Sequence, residues 1–320
     1  MTTAFIFPGQ GSQSVGMGKA LFENFAASRA VFEESDDALS EKLSGLMFDG
    51  PEAELTLTRN AQPALMAVSM AALKALQSEC GLDLRRDVAF VAGHSLGEYS
   101  ALCAAGAFGI ADAARLLRLR GEAMQKAVAP GEGAMAALLG LDAEAAAAVA
   151  AEAAAATGMV CEVANDNAPG QVVVSGARLA VERATEIAKA KGARRAMLLP
   201  VSAPFHCALM RPAAEAMARA LAEDPPATPL IPLVSNMEAE ALTDPAALRD
   251  SLVRQVTGTV RWRESVAHMA SQGVTRFVEI GAGKVLCGLV KRIADGATVV
   301  NVGLPADVAA FSTTTGALTG

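Results

Sequence analysis

The 320-residue chain is 52% hydrophobic and 19% charged, a balance that fits a compact globular enzyme and excludes a disordered or fibrous chain. A net charge of −7 and an aromatic content of 4%, with one Trp and one Tyr, argue against nucleic-acid binding by charge or by base stacking. The five cysteines (Cys80, Cys103, Cys161, Cys207, Cys287) are odd in number and form no C-x-x-C, so no disulfide framework or metal site is expected, and a reducing, cytoplasmic setting follows.

Thr3 to Phe7 reads as a short apolar strand that ends in Pro8-Gly9-Gln10-Gly11-Ser12-Gln13. That loop offers exposed backbone N–H groups, but Ser14 stands where a dinucleotide fingerprint needs its third glycine. No signal peptide is expected, because a basic segment and a long apolar stretch are both missing from MTTAFIFPGQG. Residues 17–45 read as amphipathic helix, Pro51 as the start of another short helix, and Asn60-Ala61-Gln62-Pro63 as the start of a long apolar helix that stops at Gly81. A strand at Val88 to Ala92 then meets Gly93-His94-Ser95-Leu96-Gly97 and a small-residue helix. This is G-x-S-x-G in the strand-to-helix setting of a nucleophile elbow, where glycines permit a strained turn and close packing.

In the helix predicted from about Ala111 to Val128, Ala113, Leu116, Leu117, Ala123, Met124 and Ala127 share one face and most charged residues the other. Arg120 breaks the pattern by lying within the apolar face, where it needs an anion: an internal carboxylate, a ligand, or a route to the rim by snorkelling. Residues 131–200 then read as βαββαβ, a ferredoxin-like unit inserted into a core made of residues 1–130 and 201–320. Its boundaries are Pro130-Gly131 and Pro200. After the loop Val201 to Cys207 come a helix to about Glu223, a strand Ile231 to Ser235, a helix Pro245 to Val256 and a helix through Trp262 to Ser271. The strand Val274 to Ile280, a helix after Gly283, the strand Thr298 to Val302 and a loosely ordered tail from Pro305 complete the chain. Gly283-Lys284 is no phosphate loop, since Val278 and Val285 occupy required positions. The predicted fold is α/β, a parallel-rich α/β-hydrolase-like core with a small ferredoxin-like domain. No stretch is long and apolar enough to span a membrane.

A serine nucleophile needs a base, most often histidine. Of the three histidines, His268 lies mid-helix and His94, next to Ser95, is expected to point elsewhere and flank the site. His206, on a Pro-constrained loop, is left as the base. No acidic third member stands out, so a carbonyl is expected to hold its tautomer. The oxyanion donors are expected from the residue after Ser95 and from the Gly9-Gln10-Gly11 loop.

FPGQGSQ at 7–13, GHSLGEYSAL at 93–102, RGEAMQ at 120–125, SAPFHCALM at 202–210 and GAGKVLCGLVKR at 281–292 together resemble the malonyl-CoA:acyl carrier protein transacylases of type II fatty acid synthesis, collinearly over about residues 3–303. The resemblance implies Ser95 as nucleophile, His206 as base, Arg120 as anchor of the malonyl carboxylate, the N–H groups of Gln10 and Leu96 as oxyanion hole, and Gln255 as the carbonyl that orients His206. The pocket around them is expected to include His94, Gln62, Met124, Asn165 and Phe205, with Phe205 resembling the bulky residue of malonyl-selective members. Two departures stand out: Thr257-Gly258 where the family usually has Asn-Pro, and Ala61 where it has Thr.

On this reading the substrates are malonyl-CoA and a holo-acyl carrier protein bearing phosphopantetheine. The enzyme has no cofactor of its own, binds neither nucleic acid nor membrane, and acts as a monomer. An acidic carrier calls for a basic patch, at Lys189, Lys191, Arg194 and Arg195 or at Lys284, Lys291 and Arg292. The alternatives are loading of a polyketide carrier, a serine thioesterase or esterase using the same pair with water, and a non-catalytic carrier-binding scaffold.

Overall fold

Alternation along the first strand explains why the core has two sides. In β1 (Thr2–Phe7), Phe5 and Phe7 face one apolar cluster while Ala4 and Ile6 face another, and all four are fully buried. A strand covered on both faces belongs inside a parallel sheet. The computed structural model, which describes residues 1–316, places it there. The strands in chain order are β1, β2 (Phe90–Gly93), β3 (Gly133–Leu139), β4 (Cys161–Ala168), β5 (Gln171–Ala177), β6 (Arg195–Leu198), β7 (Leu233–Val234), β8 (Ala241–Leu242), β9 (Val274–Ile280) and β10 (Thr298–Val302). The larger sheet has the order β10-β9-β1-β2-β7-β8, parallel except for the β7–β8 pair. The smaller is an antiparallel sheet in the order β4-β5-β3-β6, the ferredoxin-like arrangement, backed by the helices Ala143–Thr157 and Arg178–Ala190.

The fold is therefore α/β, with a parallel core and a ferredoxin-like unit built wholly from residues 133–198. The helix Thr58–Cys80 is buried along most of its length and packs against Ala26–Leu39 and Ile110–Lys126. It begins two residues before Asn60, with the proline inside it; Gly81 ends it at φ 63°. Residues 17–45 hold three helices (Lys19–Asn24, Ala26–Leu39, Leu43–Asp49) rather than one, broken where Phe25 turns extended and Ser40 adopts a left-handed φ of 51°. The tail from Pro305 is a correction: Pro305–Gly316 is helical, begun by the Asp307 carboxylate accepting from the Gly303 and Leu304 N–H groups and held by buried Val308 and Phe311. The short β8 was also not foreseen. Among the described residues no helix is long and apolar enough to cross a membrane.

The small sheet is fastened to the core along β4. Its Asn165 bridges to Val260, the Asp166 N–H donates to the Val260 carbonyl, and Arg263 pairs with the Asp166 carboxylate at 2.8 Å. Between the two sheets lies a cleft of about 340 Å³.

Candidate active site

β1 and β2 run parallel side by side, so their carboxyl ends open on the same edge, and the loop Pro8–Gln13 and the turn at Ser95 emerge next to each other. The glycines of the turn are required by contact. A Cβ on Gly93 would sit 1.9 Å from the Gly97 backbone, and one on Gly97 would sit 2.3 Å from the Phe7 carbonyl oxygen. Ser95 itself takes φ 54°, a left-handed conformation that a side-chain-bearing residue keeps only when its surroundings hold it. They do: its N–H donates to Asn236 Oδ1 (2.8 Å) and its carbonyl accepts from Gln255 Nε2 (2.9 Å).

Ser95 Oγ lies 2.8 Å from His206 Nε2. The other ring nitrogen, Nδ1, is 2.8 Å from the main-chain carbonyl oxygen of Gln255, an acceptor only, so Nδ1 carries the proton and Nε2 is free to accept from the serine. That carbonyl is available because the helix Pro245–Gln255 ends there, leaving its last carbonyls without intrahelical partners. Gly258, where the family usually has proline, fits this ending: its N–H closes on the Arg254 carbonyl, and a Cβ would lie 2.6 Å from the Met237 side chain. His206 is also left-handed, at φ 60°. Burial, followed by the nearby Arg120 charge, pulls its pKa down to about 3.

Arg120 is 1% exposed, which rules out snorkelling, and it has no internal carboxylate as hydrogen-bond partner. Its guanidinium donates to Gln62 Oε1 (2.8 Å), Gln255 Oε1 (2.7 Å) and Ser95 Oγ (3.1 Å), all neutral, and its buried Nε has no partner. A cation held this way has attraction left for an anion entering beside Ser95. Gly121 makes the placement possible, since a Cβ there would meet Arg59 Cα and the Thr58 carbonyl at 2.6 Å, where two helices cross.

The cleft is lined by every predicted site residue except Gln255, which sits behind it: Gln10, Gln62, His94, Ser95, Leu96, Arg120, Met124, Asn165, Phe205 and His206. The N–H groups of Gln10 and Leu96 make no hydrogen bond to another described residue. The Gln10 side chain is tied back to Thr58 Oγ1 at 3.2 Å. His94 takes the flanking place expected of it, with its side chain bonded to Asn167 and not to Ser95. It lines the cleft and meets Asn167 Oδ1 at 2.8 Å.

Three residues that sequence reasoning passed over complete the arrangement. Asn167 joins β4 to the turn. Asn236 follows β7 at the same sheet edge and bonds both Ser95 and the Gly93 carbonyl. Its position after a strand's carboxyl end was a usable signal. Glu98 is fully buried beneath the turn, accepting from the Asn236 N–H (2.5 Å) and from Gln255 Nε2. Burial outweighs these hydrogen bonds and the Arg120 charge, and its carboxyl is left pushed up to about 8. Both groups facing its oxygens are donors, which favours the ionised form against that burial. Among the described residues no cluster of His, Cys, Asp or Glu is placed to hold a metal ion.

The sequence model of the acyl transferase domain family matches residues 4–312. The chain belongs to that family. This acyl transferase is 49% identical over 290 residues to the malonyl CoA-acyl carrier protein transacylase of Bacillus subtilis, covering 91% of this chain and 90% of that protein. It is 47% identical over 307 residues to the Escherichia coli K12 protein of the same name, covering 96% and 97%. Among solved structures it is similar to an acyl-carrier-protein S-malonyltransferase from Bartonella henselae, with a TM-score of 0.95 at 54% identity, covering 99% and 100%. A malonyl-transacylase solved in complex with its type II PKS acyl-carrier protein matches with a TM-score of 0.94 at 42% identity, covering 98% and 100%.

Proposed function

We propose that this acyl transferase moves a malonyl group from malonyl-CoA to the phosphopantetheine thiol of an acyl carrier protein, supplying fatty acid chain elongation. The observation that carries the reading is Ser95 Oγ, 2.8 Å from a neutral imidazole nitrogen and 3.1 Å from a buried arginine with neutral partners. Ser95 Oγ attacks the thioester carbonyl and its proton passes to His206 Nε2. The oxyanion is received by the N–H groups of Gln10 and Leu96. As the C–S bond breaks, the CoA sulfur takes the proton from His206, leaving a malonyl-serine ester. In the second half the carrier's thiol gives its proton to His206 and attacks that ester, and Ser95 leaves as the alcohol. Arg120 binds the distal carboxylate by charge-assisted hydrogen bonds, which an acetyl group cannot form. The carboxylate also draws on the guanidinium that otherwise faces Oγ and depresses His206, so the substrate makes its own base stronger.

The apolar side of the cleft, with Met135, Val173, Leu199, Val285 and Leu289, suits the pantetheine arm. Of the two basic clusters, Lys284, Lys291 and Arg292 flank or lie on the helix Val285–Ile293, whose Val285, Leu286 and Leu289 line the cleft. Lys191 of the other cluster is already paired with Glu152. The first cluster is therefore our choice for the carrier's acidic surface. We read the enzyme as a cytoplasmic monomer that needs no cofactor.

The test is intact-mass analysis after exposure to malonyl-CoA. Wild type gains one malonyl adduct, lost on addition of holo-carrier, and Ser95→Ala gains none; an adduct persisting in Ser95→Ala overturns the reading. Malonate released without carrier loading would make the enzyme a hydrolase. Parallel loading of fatty acid and polyketide carriers assigns the acceptor.

A further inference from the structure

Glu98 takes no part in the mechanism above, yet Ser95, His206 and Arg120 each lie within two hydrogen bonds of it. One carboxylate oxygen accepts the Asn236 N–H, and the Asn236 side chain fixes the Ser95 N–H and the Gly93 carbonyl. The other accepts from the Gln255 amide, which also donates to the Ser95 carbonyl, while Gln255 Oε1 receives Arg120 and the main-chain oxygen of Gln255 receives His206. Both backbone polar groups of a strained serine, the base and the acyl anchor are thus tied to residues that meet on one buried carboxylate.

We propose that Glu98 is a positioning residue that, through Gln255, sets Arg120 and His206 at their working distances from Ser95 and so fixes the preference for a carboxylate-bearing acyl group. The proposal rests on the acyl-transfer reading. The amide between Glu98 and Arg120 is central to it. A carboxylate touching Arg120 directly would neutralise the charge that the substrate needs. A glutamine amide placed between them passes on orientation, because its NH2 is committed to Glu98 and Ser95 and only its oxygen can face the arginine. That leaves the guanidinium charge available.

The substitution Glu98→Gln keeps the shape but sets an NH2 where two donors already converge, so one hydrogen bond must break. In competition between malonyl-CoA and acetyl-CoA, followed as adducts on Ser95, we expect E98Q to lower acetyl loading through His206. Malonyl loading should fall further through Arg120, reducing the malonyl-to-acetyl ratio by about tenfold or more. Glu98→Asp, which retains the charge one methylene short, should fall between E98Q and wild type. A ratio unchanged in folded E98Q, even with both rates lowered, means a purely structural role and overturns the proposal. Should E98Q fail to fold, E98D decides: a ratio lowered by about threefold or more supports the placement, and a wild-type ratio overturns it. If wild type accepts neither acyl group, the acyl-transfer reading falls separately. The crystal structure of E98Q, or of E98D if E98Q does not fold, then tests Glu98. Loss of the Arg120–Gln255 contact is expected, and its retention with His206 in place overturns the proposal.

Discussion

Ser95, His206 and Arg120 each sit in a state that an isolated side chain would avoid: two at positive φ and one a buried cation without a counter-ion as hydrogen-bond partner. For His206 the consequence is measurable. With its pKa drawn to about 3, below the ordinary 6.5, the imidazole is neutral across the working range, so malonyl-serine formation should not lose rate near pH 6.5 as an ordinary histidine base would. The same shift has a stability side. Between 6.5 and 3 the unfolded chain binds a proton that the folded one refuses, so this contribution is complete above 6.5 and is lost as pH falls through that window. Chemical denaturation of His206→Asn should show a flatter acid dependence than wild type over that range. For Arg120, replacement by Ala should cost the malonyl substrate about 1.5–3 kcal/mol, roughly 10- to 150-fold in kcat/KM, while acetyl transfer falls little or rises. Side-by-side kinetics with the two CoA esters check this. The sequence exposed these residues unevenly. Arg120 was visible because a charge interrupted an apolar helix face, and Ser95 because its glycines have fixed spacing. Glu98 was passed over although it adjoins the same motif, since burial and hydrogen-bond partners are properties of the folded chain.

At the level of elements, the serine is presented by a close fit between the β2 turn and the end of β1. Gly97→Ala would place a methyl group 2.3 Å from the Phe7 carbonyl oxygen, with only backbone to give way. We expect destabilisation of about 2–3 kcal/mol, seen in the denaturant midpoint, and loss of the malonyl adduct even in the folded fraction. Most elements of the core and of the insert were legible because strands alternate and helices carry caps: Asp142 and Asp244, for instance, cap their helices as an acidic residue before an apolar periodic stretch should. The end of the helix after Pro245 was also read to within one residue, at Val256 against Gln255. The resemblance implied the Gln255 carbonyl as the partner of His206; what the Thr257-Gly258 departure left illegible was the path of the chain beyond it, where the Gly258 N–H closes on the Arg254 carbonyl. The final helix was missed for a related reason. Its Ser, Thr and Gly content is weak in local signal, and Val308 and Phe311 define it by what they pack against.

Over the whole molecule, the proposed reading sets chemistry and docking on different parts. Lys284→Glu with Lys291→Glu should raise the KM for an acidic carrier by about tenfold at low salt and change that for malonyl-CoA by less than about twofold, with the difference shrinking as salt is added. Steady-state kinetics at two ionic strengths would show it. The sequence located the inserted unit by its Gly/Pro punctuation, but not the seam along β4 and Val260 that forms one wall of the cleft, because contacts between distant segments leave no local pattern. That seam and the close approach of Gly133 to Pro204 mean that the chain leaves the core and re-enters it at nearly one place. Ser95, Arg120, His206 and Gln255 all lie outside residues 133–198, whereas Met135, Asn165 and Val173 on the facing wall lie inside them. The insert is in this sense an exchangeable cassette: grafting it from one family member to another would transplant the wall proposed above for the pantetheine arm and leave Ser95, Arg120 and His206 with their original owner.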